Sequence, residues 1–232
     1  MVMLDYKDFQ QNIINFLNVN KAWDRAVSLD IETDLRILDD PKKNILSISV
    51  ARRVENRICI EKFILDNENE EEEAKIFIQF GYFCQRVRPL VIIGYGISRF
   101  DLPILLFKMK QLDKLFNKSG RYEPAYWAFR DAVTMSYFLD MINPVRFEIA
   151  KFDNTTPKFI PLESAISHKR FEHLPFMKTK AIVSKHVSNV QNKWDVIYRL
   201  WKEDRNSFNK YIEGDVHDTL LIAEELMLKR LC

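Results

Sequence analysis

Apolar residues recur along this chain with two periods. Phe9, Ile13, Phe16 and Leu17 fall at helical spacing, which predicts a helix over 6–17 within an N-terminal helical extension, 1–22. Beyond it the period shortens. Residues 26–31 read as a strand, and 44–51 alternates through Ile45, Leu46, Ile48 and Val50. Residues 58–65 alternate less cleanly, and together these stretches predict a meander. The acidic run 68–73 precedes a helical pattern over 71–86, where acids complement the positive end of the helix dipole. Leu90 to Gly94 is a short apolar strand ended by glycine, and 102–116 is helical with Pro103 tolerated in its first turn. A short strand is expected at 127–129 and a helix at 131–139. Pro144, Pro157 and Pro161 predict an irregular excursion, part of an irregular insertion over 143–190 that a short helix from Leu162 interrupts. Helices over 190–203 and 205–229 close the pattern. Strands followed by alternating helices and strands predict a single α/β domain over 1–232, its sheet covered by helices.

Composition narrows the class. With 47 % hydrophobic and 29 % charged residues among 232, the chain is globular and wholesale disorder is excluded. No stretch approaches the ~18–20 apolar residues of a membrane span, and the start lacks the shape of a signal peptide. The three cysteines are odd in number and far apart, which argues against a disulfide framework; a cytoplasmic location is expected. A net charge of +2 excludes a uniformly basic nucleic-acid coat. The charge is nonetheless uneven, since 102–210 holds 19 Lys and Arg against 11 Asp and Glu. The middle of the chain can face a polyanion while the ends hold acids for another purpose. The basic stretch from His168, Lys169 and Arg170 to Lys185 is a candidate phosphate track, or equally a solvated face.

Three constellations carry candidate chemistry. Asp30 and Glu32 lie two apart on a predicted strand, so both carboxylates point to one side of it. Such a pair repels itself unless solvated, and a divalent cation offsets the repulsion. Next, Gly94-Tyr95-Gly96-Ile97-Ser98-Arg99-Phe100-Asp101 ends a strand in a turn and delivers Asp101 to the start of a helix, as a helix cap or as a ligand. Last, Tyr211 and Asp215 are four apart and share one helical face, beside an apolar stripe.

In this order and context, D-x-E, then F-D after a G-Y turn, then Y-x-x-x-D on a late helix, the chain resembles the DEDD exonucleases and, by its tyrosine, their DEDDy branch. The stretch 94–105 looks most like the second motif of the proofreading domains of family B DNA polymerases and their stand-alone relatives. Lys210 stands where the histidine branch has its histidine. The resemblance implies a ribonuclease H-like fold: a central mixed sheet flanked by helices. It implies two Mg²⁺ or Mn²⁺ ions held by Asp30, Glu32, Asp101 and Asp215, with Tyr211 orienting the attacking water. It also implies substrate contacts from Thr33, Leu35, Arg99 and Phe100, and the basic stretch adds Lys169 and Arg170. The expected reaction is 3′–5′ release of nucleoside monophosphates from DNA, at single-stranded or frayed ends. RNA is the alternative substrate, and a non-catalytic nucleic-acid-binding module is the second alternative. One departure stands out: family members commonly carry Asn where this chain has Gly96, a position that helps hold the strand.

Overall fold

A computed structural model describes residues 12, 15, 16, 22–34, 45–119, 124–179, 182, 183 and 193–228. Most of the expected N-terminal helix, Leu35 and much of the basic stretch beyond Thr179 lie outside the described residues. Within them, five strands form one sheet: β1 (Ala26–Thr33), β2 (Ile45–Val54), β3 (Arg57–Ile64), β4 (Val91–Gly94) and β5 (Tyr137–Asp140). Their order is β3-β2-β1-β4-β5. The first three pair antiparallel and β1, β4 and β5 pair parallel, so the sheet is mixed. Among the described residues no helix is long and apolar enough to cross a membrane, and Cys59 and Cys84 are free thiols.

β1 is covered on both faces, and strand alternation decides what each face holds. Val27, Leu29 and Ile31 point into a core shared with α1 (Glu70–Val87), α2 (Asp101–Ser119) and α3 (Pro124–Met135). The other face contacts α4 (Ile142–Asp153) and α7 (Arg205–Leu228), through Val145 and Ile149 and through Val216, Leu220 and Ala223. A short helix α5 (Leu162–Ile166) and α6 (Lys193–Glu203) complete the cover. The acidic run opens α1 as expected: Asn69 caps it, accepting from the Glu72 N–H at 2.8 Å. Gly81 lets α1 lie against α3, since a Cβ there would stand 2.0 Å from the Ala125 carbonyl oxygen.

Two local expectations are corrected. Residues 127–129 are not a strand. Ala125, Tyr126, Phe129, Ala132 and Val133 recur with helical period in α3, and the strand follows as β5. Nor is 143–190 irregular from its start, because 142–153 forms α4. Pro144 sits in its first turn, where a missing N–H costs nothing, and the helix stops at Asn154 in the left-handed conformation (φ 55°).

Candidate active site

β1 carries Asp30 and Glu32 on the face beneath α7. Their cross-strand neighbours on β2 are Ser49 and Ser47, so small side chains flank the acids. The β1–β2 register slips between Glu32 and Thr33, a bulge that re-aims the strand end beside the two carboxylates. α7 is pinned above this surface by two ion pairs, Lys62 with Glu213 and Arg53 with Glu224. It presents Tyr211 and Asp215 one turn apart. Gly214 faces away from the acids, toward Thr179: a Cβ would stand 1.8 Å from the threonine Oγ1, which itself donates to the Tyr211 carbonyl at 3.3 Å. Asp218 clasps the preceding backbone by accepting from the Met177 and Lys178 N–H groups at 2.9 and 3.3 Å.

The result is a convergence. Asp30, Glu32 and Asp215 each offer a carboxylate oxygen, and these oxygens lie within 4.8 Å of one another. Glu32 and Asp215 are buried. Tyr211 is buried beside them, and its hydroxyl hydrogen-bonds Glu32. Burial first, then the charges of Asp215, Glu32 and Asp30, hold the Tyr211 phenol well above its usual range. Asp101 adjoins this group. Its Oδ1 accepts from the N–H of Ile31, the residue between the two β1 acids, at 3.0 Å. That bond ties it to β1 across the sheet end, whatever its part in capping α2. Burial, then the charge of Asp30, raises the Asp101 carboxyl well above the ordinary carboxylate range, while the Ile31 N–H opposes the rise. Hard oxygen donors crowded into a dry site fit a divalent cation in both charge and donor type.

The turn that carries Asp101 is built around glycine and an acid the sequence reading missed. Gly96 has φ 89°, and a Cβ there would stand 3.3 Å from both Ile142 and the Phe100 ring. Glycine at this position lets α4 and Phe100 close on the turn. Asp140, at the end of β5, accepts from the N–H groups of Gly96 (3.0 Å), Ser98 (3.3 Å) and Ile142 (3.1 Å), and from the Ser98 hydroxyl. The available signal was an acid ending an apolar run, beside a strand that itself ends in Gly94. Asp140→Ala leaves three N–H groups without this acceptor, at about 1–3 kcal/mol for each that stays dry. The expected result is a fall in turnover larger than the loss in melting temperature explains, with Asp140→Asn intermediate; activity assays and thermal melts of both variants check it.

The remaining sequence candidates scatter. Phe100 is exposed (66 %), and Arg99 beside it is exposed too. Thr33 is buried just past the bulge. Lys169 is exposed on a short 3-10 turn. Arg170 is not available as a phosphate ligand. Its guanidinium is held by Glu148 at 2.8 Å and by Glu225 at 3.0 Å. Glu225 lies ten residues along α7 from Asp215, about 15 Å by helical rise.

Comparison with known proteins agrees with this geometry. The family model for the DNA polymerase family B exonuclease domain matches residues 7–142, more than half of the chain and a span that includes Asp30, Glu32 and Asp101. No curated protein matches. Among solved structures, the family B DNA polymerase from the hyperthermophilic archaeon Pyrobaculum calidifontis is similar in fold, with a TM-score of 0.54 at 19 % identity. The similarity covers 87 % of this chain and 24 % of that polymerase, so this chain spans about a quarter of that protein's length. Tyr211 and Asp215 lie beyond the matched segment, and the fold brings them to the acids that lie within it. The chain belongs to the exonuclease-domain family of family B DNA polymerases: it is a 3′–5′ exonuclease domain, a phosphodiester hydrolase on a ribonuclease H-like fold.

Proposed function

We propose that this domain removes nucleoside monophosphates from the 3′ end of DNA, at single-stranded or frayed ends, with two Mg²⁺ or Mn²⁺ ions. The observation that carries the reading is the convergence of the Asp30, Glu32 and Asp215 oxygens beside the Tyr211 hydroxyl. Exonuclease domains of this family work with divalent metals. Here Asp30, Glu32 and Asp215 would hold them, with Asp101 as the fourth carboxylate. When bound, such ions neutralise the acids, acidify water and offset charge on the scissile phosphate.

The chain's own groups do the rest. Tyr211 keeps its proton at working pH because burial, the first cause of its raised phenol, disfavours the phenolate whether or not the neighbouring acids are neutralised. It therefore acts as a hydrogen-bond donor and orienter, not as a base. Phe100, exposed next to Asp101, offers a face to a base near the 3′ end, worth about 1–3 kcal/mol. Arg99 adds charge from the same turn, and Thr33, whose position resembles the one that touches the terminal nucleotide, lies buried just past the bulge. Tyr211→Phe is expected to lower turnover about 10- to 100-fold while leaving metal-induced thermal stabilisation intact. The pH–rate profile of the unaltered protein should show no tyrosine limb up to about pH 10. Single-turnover rates across pH check both.

The deciding experiment incubates end-labelled single-stranded DNA and RNA with Mg²⁺ or Mn²⁺, for the unaltered protein and Asp30→Ala. A ladder shrinking from the 3′ end of DNA, absent in the variant, is the expected result. Preferential loss of RNA would move the substrate to RNA, and binding without degradation of either polymer would sink the catalytic reading.

A further inference from the structure

The catalytic reading leaves one face of α4 unused. Ile142, Arg146, Ile149, Ala150 and Asp153 recur at helical spacing and share a side of this helix. Residues 155–160 return along that side. Between helix and returning chain lies a pocket of about 170 Å³ whose polar lining is Arg146, Asp153, Thr155, Thr156 and Lys158. Its charges are unevenly used. Asp153 contacts His168 at 3.1 Å, and the nearby Glu148 holds Arg170. Among the described residues no carboxylate pairs with Arg146 or Lys158. The Arg146 Nε is buried without a hydrogen-bond partner, and its guanidinium lies over the Phe147 ring, 5.0 Å from the centroid. A buried donor without an acceptor is costly, so this side chain has not spent its hydrogen-bonding capacity within the fold.

Aromatic rings accompany the cations. Phe147, Phe152 and Phe159 are 43, 54 and 59 % exposed, and each directly follows a basic residue: Arg146, Lys151 and Lys158. Alternating cations and exposed rings match a polymer that alternates phosphates with flat apolar faces. A free phosphate would use the cations and leave the rings in water. The surface is also tied to the active-site turn at both walls. Ile142, at the head of the α4 stripe, packs against Gly96, and the Tyr95 hydroxyl donates to the Ile160 carbonyl at 2.5 Å. Arg146 stands one turn, about 6 Å, along α4 from Ile142.

We propose that α4 and residues 155–160 form a second contact for the single strand whose 3′ end occupies the acids: the pocket takes a backbone phosphate and the neighbouring phenylalanines take bases. This rests on the nucleic-acid substrate proposed above. The surface acts at a distance from the reacting phosphate, so it sets affinity for longer strands and not the rate of cleavage.

The test compares Arg146→Ala/Lys158→Ala with the unaltered protein on oligonucleotides of about 4 and about 16 nucleotides, which bracket usual single-strand site sizes. The expected result is a KM raised about tenfold on the long substrate, with kcat unchanged and the short substrate unaffected. The salt slope for binding the long strand should fall by about 0.7 for the lost phosphate contact. Phe152→Ala/Phe159→Ala should weaken long-strand binding without changing that slope. Equal effects on both lengths, or on neither, overturn the proposal. So does a pocket that binds inorganic phosphate through Arg146 while the double variant still binds the long strand normally. Fluorescence anisotropy of the long strand on an Asp215→Asn background keeps the question open to test if no degradation occurs: absence of cleavage sinks the catalytic reading, whereas loss of binding in the double variant still supports this surface.

Discussion

Asp30→Asn and Asp215→Asn are each expected to lower exonuclease turnover by about 10²- to 10³-fold, the usual scale for losing one preorganised electrostatic group. The same substitutions should raise the melting temperature of the metal-free protein. The two effects have one origin. Three carboxylate oxygens lie within 4.8 Å of one another in a largely buried site, so without cations they repel. Removing one charge relieves that repulsion and removes a ligand at once. In EDTA each variant should therefore melt above the unaltered protein. With millimolar Mg²⁺ or Mn²⁺ the order should reverse, because only the intact cluster gains stability from binding.

Asp101 adds a pH signature. Its carboxyl is raised by burial and then by Asp30, so the native state keeps a proton that the unfolded chain gives up above about 3.8. Metal-free stability should fall as the pH rises from there through the raised value, and be unaffected by this group at lower pH. Asp101→Asn should flatten that slope. Calorimetric melts across pH, with and without metal, read all of these effects. A variant as metal-responsive as the unaltered protein would remove that residue from the proposed ligand set.

The parts of this site that were legible in the sequence are those fixed by local periodicity. A two-residue step on a strand places Asp30 and Glu32 on one face, and a four-residue step on a helix does the same for Tyr211 and Asp215, wherever the rest of the chain goes. Asp140 was hidden because the helix and strand around it were misplaced by several residues: the aromatics at 126–129 suit either element. Once β5 is seen to end beside Gly94, the acid has the turn's N–H groups in reach. Arg170 illustrates a different limit. Its partners, Glu148 and Glu225, are 22 and 55 residues away, and nothing local reveals that the charge is already used. Gly214 was unreadable for the same reason, since its meaning depends on Thr179 arriving from another segment. α4 is obscured in the sequence by Pro144, Pro157 and Pro161 falling close together, although only Pro144 lies in the helix and does so where its ring is harmless.

Lys108→Met is expected to destabilise the fold by about 3–5 kcal/mol, the scale for breaking a buried ion pair. Lys108 on α2 and Glu73 on α1 are both buried, and Nζ meets the carboxylate at 2.8 Å. Glu73 does a second job: it accepts from the N–H of Ile45, the first residue of β2, at 2.8 Å. Removing the lysine leaves a buried carboxylate without its cation. Converting Glu73 to Gln in addition removes that charge and keeps an acceptor for Ile45. Lys108→Met/Glu73→Gln should therefore recover most of the loss, which a double-mutant cycle in urea measures as coupling. The pair also has a route to the active site. Ile45 is the β2 partner of Thr33, directly past the bulge that follows Glu32. Glu73→Leu frees that N–H at the strand start and lets the bulge shift. It should weaken metal binding by Asp30 and Glu32 more than the neutral pair Lys108→Met/Glu73→Gln does. Equal metal affinity in these two variants would separate the ion pair from the site and leave it a purely structural clamp.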